Sequence, residues 1–494
     1  MPLAFSKIPI LAVWEPIHRD DWGPDQARHF LERAGFGGTR EQIEEVTELG
    51  PEQSCDKFFA PQALELPEWF ADKLAEFRSL GQQAKEIEDR EERQEIYRER
   101  NQVGREIILE LEFEWLLRAS QPKAGFCAKW ELFLSDVWVV GKRAANNPHW
   151  QISYWQSLAE SAHLPYPEFC KNFSREPAMM RYLDLDKSSK KKPNENFARE
   201  LLELFALGEG NYSENDIKEA ARAFTGRRIH GSKYQQADRQ YDDGVKTVFA
   251  RRGHWNGDEV IDIVFQQPAA RTFLPSEAIR YYLTQEPIPE DQLKYLGDLW
   301  ADEGFRLDAL RKRLFSSRAF YAPDFQGTRI KSPVELYVGA LQQFGLQPAP
   351  LPNRTSRPLR DMGQELFEPP NVRGWIGGEA WINAGKLAAR RRMIDLLFTP
   401  IPFKRLNADD KIRVEREAER EGSRPFFVTR DALLNFTGRT SAEVSAYIQE
   451  VLLSQPLNES SKEQITHFLG EDPSPEQIET VIITTLQSPQ YQLS

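Results

Sequence analysis

The chain has 494 residues, a net charge of −12 and 40% hydrophobic residues, among them 12 Trp, 14 Tyr and 30 Phe. That apolar content is enough for a sizeable core and excludes a wholly disordered, collagen-like or low-complexity chain. The acidic balance argues against a protein that coats nucleic acid, and no apolar run is long enough for a membrane span.

Residues 1–16, MPLAFSKIPILAVWEP, hold a short apolar stretch broken by Lys7 and Pro9, with no Ala-x-Ala-type site and no twin arginine. Residues 1–25 therefore read as an N-terminal extension and the product as soluble and cytoplasmic. A helical main body is expected over 26–347. Residues 26–33 lead into Gly35-Phe36-Gly37-Gly38, and Thr39 with Gln42 forms a capping box for a helix ending at Gly50. Over 85–106, 14 of 22 residues are charged with interleaved signs, the pattern of a solvated helix. Residues 107–117 are far more apolar, so the same helix is expected to pass under the core there.

The segment 194–224 is the most legible. Asn194 can cap a helix carrying Phe197, Leu201, Leu204 and Phe205 on one stripe, and Gly208 suits the left-handed position that ends it. Ser213 and Asp216 start a second helix with Ile217, Ala220, Ala221 and Phe224 on one face and Gly226 at its end, so the two form an αα-hairpin. Only 234–249 looks β, with Asp242-Asp243-Gly244 as a tight hairpin turn. Residues 348–361 read as a loop or linker. The C-terminal part, 362–494, opens on a Pro/Gly-rich irregular loop near 365–381 and returns to amphipathic helix from Arg430. An internal echo relates 314–321 to 486–493, as a reused helix-to-loop cap. The fold class is predominantly α: a large multi-helical array with a small β-hairpin insertion.

The search for chemistry yields little. Cys55, Cys127 and Cys170 are an odd, widely spaced set, best read as buried free thiols. None of the seven histidines pairs with another within four residues, and there is no GxSxG elbow, P-loop or strand-linked GxGxxG. One polar stripe stands out: Glu195, Arg199 and Glu203 at i, i+4 and i+8, which is either an exposed ladder or a carboxylate set suited to acid/base work. Residues 184–195 place oxygen ligands at positions 1, 3, 5 and 12 of a calcium-like loop. However, Ser189 stands where that loop needs Gly, and four lysines crowd it. Trp375 and Trp381 are either stacking platforms for a ligand or plugs of the core, and the plug is favoured because Trp is usually buried.

Residues 177–226 (PAMMRYLDLDKSSKKKPNENFARELLELFALGEGNYSENDIKEAARAFTG) resemble the central signature of the bacterial domain-of-unknown-function 1800 family. Residues 241–269, KSPVELYVG (331–339) and MGQELFEPPNVRGWIGGEAWINAGKLAAR (362–390) resemble its other blocks, with RHFLERAGFGGT (28–39) at the start and LQSPQYQL (486–493) at the end. The resemblance implies a large, mainly helical protein without an assigned activity. It also implies a gene neighbour from the domain-of-unknown-function 1501 family, with a sulfatase- or phosphatase-like look, and relatives of which many are exported. Three family histidines are replaced here, by Ser135, Val137 and Tyr241, and Arg227 stands for a Trp.

Two functions follow as expectations. The first is a non-enzymatic partner or scaffold for a hydrolase-like protein encoded nearby. The alternative is a hydrolase with Glu195, Arg199, Glu203, Asp242 and Lys246 as catalytic candidates. Candidate binding residues are Asn194, Arg222, Asn371, Trp375 and Trp381. Neither metal nor cofactor is expected. Val137 has no ligand atom and a Tyr hydroxyl is a poor base at neutral pH, so zinc, iron or copper and metal-dependent phosphatase, sulfatase or esterase activity are expected to be absent unless Asp136 and Asp242 take over.

Overall fold

The computed structural model describes residues 10–494, and side chains from residue 12; the first part of the N-terminal apolar stretch lies outside the described residues. The protein is predominantly α, 61% helical, with two small antiparallel sheets of two strands each. No helix among the described residues is long and apolar enough to cross a membrane.

Local chemistry explains most helix boundaries. Thr39 accepts from the Gln42 backbone N–H while the Gln42 side chain accepts from Thr39 N, and Gly50 ends that helix at φ +81°. Ser213 and Asp216 make the same reciprocal cap on Glu214–Ala223, and Gly208 and Gly226 take the left-handed conformation expected of them. The charged run is not one helix. Trp69–Glu86 stops before residues 87–89, where Asp89 caps Arg90–Ala119 by accepting from the Glu91 and Glu92 backbones. From there the 30-residue helix is wet at its start and buried over most of its second half, as its composition demands.

The β region departs from expectation. The first sheet pairs β1 (Arg227–His230) with β2 (Lys233–Gln236) around Gly231; the second pairs β3 (Lys246–Val248) with β4 (Arg251–Gly253). Residues 242–244 turn no hairpin but form the loop leading into β3, with Asp242 Oδ1 accepting from Gly244 N. The β3–β4 turn is made by Phe249 and Ala250, both at positive φ. That is a costly conformation for residues with a Cβ. It is held because Asp216 Oδ1 accepts from Phe249 N at 2.7 Å, a tertiary contact that no local turn signal contains.

Residues 348–355 are irregular but packed, with Ala349 and Leu351 buried, and Ser356–Asp361 is helical. All three cysteines are buried free thiols. The two echo segments follow Leu307–Ser316 and Pro475–Leu486. In both, a serine hydroxyl accepts from the backbone N–H three residues on, Ser317 from Phe320 and Ser488 from Tyr491. Both are ST-type turns, but they stand one position apart in the echo, Ser317 opposite Pro489 and Ser488 opposite Ser316.

The core is centred on Ala124–Val137, a helix buried on every side. A helix that is apolar all round belongs in the interior of a large protein. Its Trp130 and Phe133 pack against Tyr282, with Phe315 beyond.

Candidate polar sites

The stripe on 194–206 lies at a helix that changes its winding: Glu195–Glu200 is α and Leu201–Ala206 is π. Asn194 is structural. Its Oδ1 accepts from Asn196 N, its amide donates to Leu183 O and Asp184 O, and its own N–H donates to Ser188 Oγ. The 184–195 loop is closed by these bonds. Of its acidic groups, Asp184 pairs with Lys187 and Asp186 with Arg181.

Along the stripe, Arg199 links Glu195 to Glu214, and Arg373 links Glu203 to Glu209. Glu203 also accepts from the Tyr212 hydroxyl at 2.6 Å. Glu195 and Arg199 are 41% and 35% exposed and Glu203 18%, so the stripe is a ladder that starts wet and ends mostly covered. The Glu214 carboxylate on Arg199 holds that guanidinium above its ordinary range.

Asp242 and Lys246 sit elsewhere. Arg222 donates to both oxygens of Asp242 and to both of Glu219. The buried Lys246 ammonium donates to the carbonyls of Asp242 and Gly244, at 2.5 and 3.1 Å, so it fastens the loop on itself. Among the described residues no hydrogen bond or ion pair joins this group to the Glu195–Glu203 stripe.

The Pro/Gly-rich loop answers the question of its tryptophans. Trp375 is 7% and Trp381 4% exposed, so both rings plug the core. Asn371 makes an Asx turn, its Oδ1 accepting from Arg373 N at 2.8 Å. The loop is then drawn onto Asp136, whose Oδ1 accepts from Trp375 N at 2.7 Å. Gly374 between them has φ +74°, and a Cβ there would stand 2.1 Å from Asp136 Oδ1. Only glycine fits. Burial pushes the Asp136 carboxyl up to about 7, against the single backbone N–H that favours its charged form.

Next to Asp136, Ser135 donates to Leu132 O; Tyr241, in the loop before β3, donates to Trp255 O. Val137 is buried among apolar groups. The described residues contain no group of three His, Cys, Asp or Glu side chains able to hold a metal.

Sequence reasoning missed the most concentrated polar cluster of all. Lys129, wholly buried, donates to Glu32 O, Gly35 O and Glu335 Oε1, the last at 2.9 Å. Arg329 takes the same oxygen of Glu335 at 2.7 Å, while Glu335 Oε2 caps its own helix by accepting from Ser332 N. Arg33 donates to Leu283 O and Phe325 O, and Arg390 to Lys331 O and Gln492 Oε1. Burial lowers Lys129 to about 8 and Arg33 to about 9. Burial works against ionised Glu335 too, but Arg329 and Lys129 outweigh it and hold that carboxyl well below its ordinary range. The sequence did carry a signal. Lys129, Glu131 and Asp136 sit in a helix otherwise apolar on all faces, so their partners had to come from inside.

The family described as "Protein of unknown function (DUF1800)" matches residues 29–493. No curated protein and no solved structure matches the chain. With nearly its whole length matched, from the helix bearing Arg33 to the tail bearing Gln492, the chain belongs to the DUF1800 family.

Proposed function

We propose that the chain works as a non-enzymatic helical partner or scaffold for a hydrolase-like protein encoded nearby, of the sulfatase- or phosphatase-like kind that the family resemblance implies. The observation that carries this reading is the pairing of the candidate catalytic groups with other side chains and carbonyls. Glu195, Glu203 and Asp242 are each held by an arginine that also holds a second carboxylate, and Lys246 is spent on backbone carbonyls. A general base must present an oxygen to the substrate, whereas both oxygens of Glu203 and both of Asp242 already accept from protein donors.

Size-exclusion chromatography of the chain co-expressed with the neighbouring hydrolase-like protein tests the proposal. Co-elution as one complex is expected, together with no turnover of p-nitrophenyl phosphate, sulfate or acetate by the isolated chain. Separate elution overturns the partner role. Hydrolysis by the isolated chain that disappears in Glu203→Gln or Asp242→Asn installs the hydrolase in its place.

A further inference from the structure

The helix Arg90–Ala119 lays one residue per turn, Arg100, Gly104, Ile108 and Glu112, along the floor of a cleft of about 640 Å³. Trp150 and the exposed Leu109 supply its apolar wall, Phe77 is 4% exposed beneath Arg100, and the loop bearing Lys142 and Arg143 closes one end with Glu365. The volume is that of a small-molecule site rather than a packing flaw. Gly104 keeps the floor low, since a Cβ there would come to 3.0 Å from the Phe77 ring.

The two ends of the cleft differ in charge. At the deep end Lys142 Nζ is shared by Glu112 Oε1 at 2.5 Å, Glu365 Oε1 at 3.2 Å and Leu366 O at 3.0 Å. The other oxygen of Glu112 is buried with no partner, and the side chain is 2% exposed. At the mouth, Arg100 and Arg105 have no carboxylate partner among the described residues. The Arg100 guanidinium lies 4.0 Å over the Phe77 ring, and its Nε is buried without a hydrogen-bond acceptor. Four basic and two acidic side chains line the cleft, so it carries an excess of two positive charges in a chain of net −12.

We propose that this cleft binds a small organic oxyanion: a flat apolar body against Trp150 and Leu109 that carries a carboxylate or phosphate for Arg100 and Arg105. A guanidinium is planar and presents paired N–H groups that match the two oxygens of such an anion. Held flat on Phe77, Arg100 is already ordered, so binding forfeits little side-chain freedom. The unpartnered oxygen of Glu112 serves a hydroxyl or amide hydrogen of the ligand at the deep end. This site does not depend on the partner role, because it is measured on the isolated chain.

Isothermal titration calorimetry with phenyl phosphate, benzoate and the neutral phenol tests it, with inorganic phosphate as a fourth arm. One-to-one binding of phenyl phosphate or benzoate is expected, with phenol at least tenfold weaker; which anion binds tighter separates the phosphate from the carboxylate source. Tighter binding of inorganic phosphate than of either aromatic anion overturns the apolar wall. Arg105→Gln, on an exposed side chain that leaves folding intact, should weaken binding about tenfold, and Arg100→Met, which keeps the apolar stem on Phe77, by at least as much. The site is overturned if neither aromatic anion binds at millimolar concentration, if phenol binds as well as they do, or if Arg105→Gln binds like the parent.

Discussion

The Lys129–Glu335 pair in the core and the Arg199–Glu214 pair on the surface have the same N–O distance, 2.9 Å. Distance therefore says nothing of what each contributes. Lys129 is wholly buried and its ammonium is driven down to about 8 by lost hydration, whereas the Arg199 guanidinium is raised by its partner. In the core, five cations (Arg33, Lys129, Arg329, Lys331, Arg390) are arranged around only two carboxylates, Glu32 and Glu335, and backbone carbonyls take the remaining donors. Such a network is neutral to costly relative to apolar packing, but removing one member strands the rest without solvent. On the surface, water replaces any lost partner.

The contrast can be broken most violently at Glu335. Glu335→Gln leaves Lys129 and Arg329 without their shared charge, and chemical denaturation should register a loss of about 3–5 kcal/mol; a loss below about 1 kcal/mol would mean that the cluster is solvated after all. Next comes Gly374→Ala, which forces a Cβ into Asp136 and a left-handed alanine into the loop. About 2–3 kcal/mol of destabilisation is expected from strain and overpacking, accompanied by exposure of Trp375 to fluorescence quenchers. The third concerns a buried carboxyl with no cation bonded to it. The folded pKa of Asp136, about 7, lies above the ordinary value of 3.8, so its contribution to stability is full below about pH 4 and is lost as pH rises toward 7. Asp136→Asn keeps the acceptor for Trp375 N and removes that slope. Its unfolding free energy should match the parent's at pH 4 and exceed it at pH 8, by an amount on the order of 4 kcal/mol. Last, Arg199→Ala should shift the melting temperature by less than about 2 °C, a null result that puts a ceiling on what surface pairs contribute.

Legibility in the sequence followed locality. The caps at Thr39 and Ser213 and the helix ends at Gly50, Gly208 and Gly226 are set by residues within four positions of each other, and those appear where the pattern put them. The hairpin turn at 242–244 failed for the complementary reason. Asp-Asp-Gly has the right local chemistry, but Asp216, some thirty residues upstream, holds Phe249 and Ala250 in the turn instead. The break at residues 87–89 was hidden by uniform charge, within which Asp89 is one carboxylate among many. At the candidate site, Glu195, Arg199 and Glu203 were found as a stripe, but Glu214, Tyr212 and Arg373, which occupy them, come from other segments. The cleft on Arg90–Ala119 escaped notice because it straddles the stretch read as a solvated face, 85–106, and the apolar stretch 107–117, and because Lys142, Trp150 and Glu365 come from other segments.

The chain order of the central cluster constrains how the molecule comes into being. Arg33 lies on the Pro24–Arg33 helix, yet its guanidinium donates to carbonyls at 283 and 325, and the neighbouring Glu32 accepts from Ser454. Lys129 waits for Glu335 across some two hundred residues. On a growing polypeptide these early charges have no mates, so the opening helix cannot settle into an anhydrous setting until more than half of the chain has followed it. Contacts so far apart in sequence make closure slow, and the apolar faces around Trp130 stay open meanwhile. Refolding from denaturant should therefore pass through a compact intermediate that chaperones recognise, with the Lys129–Glu335 lock among the last events to form.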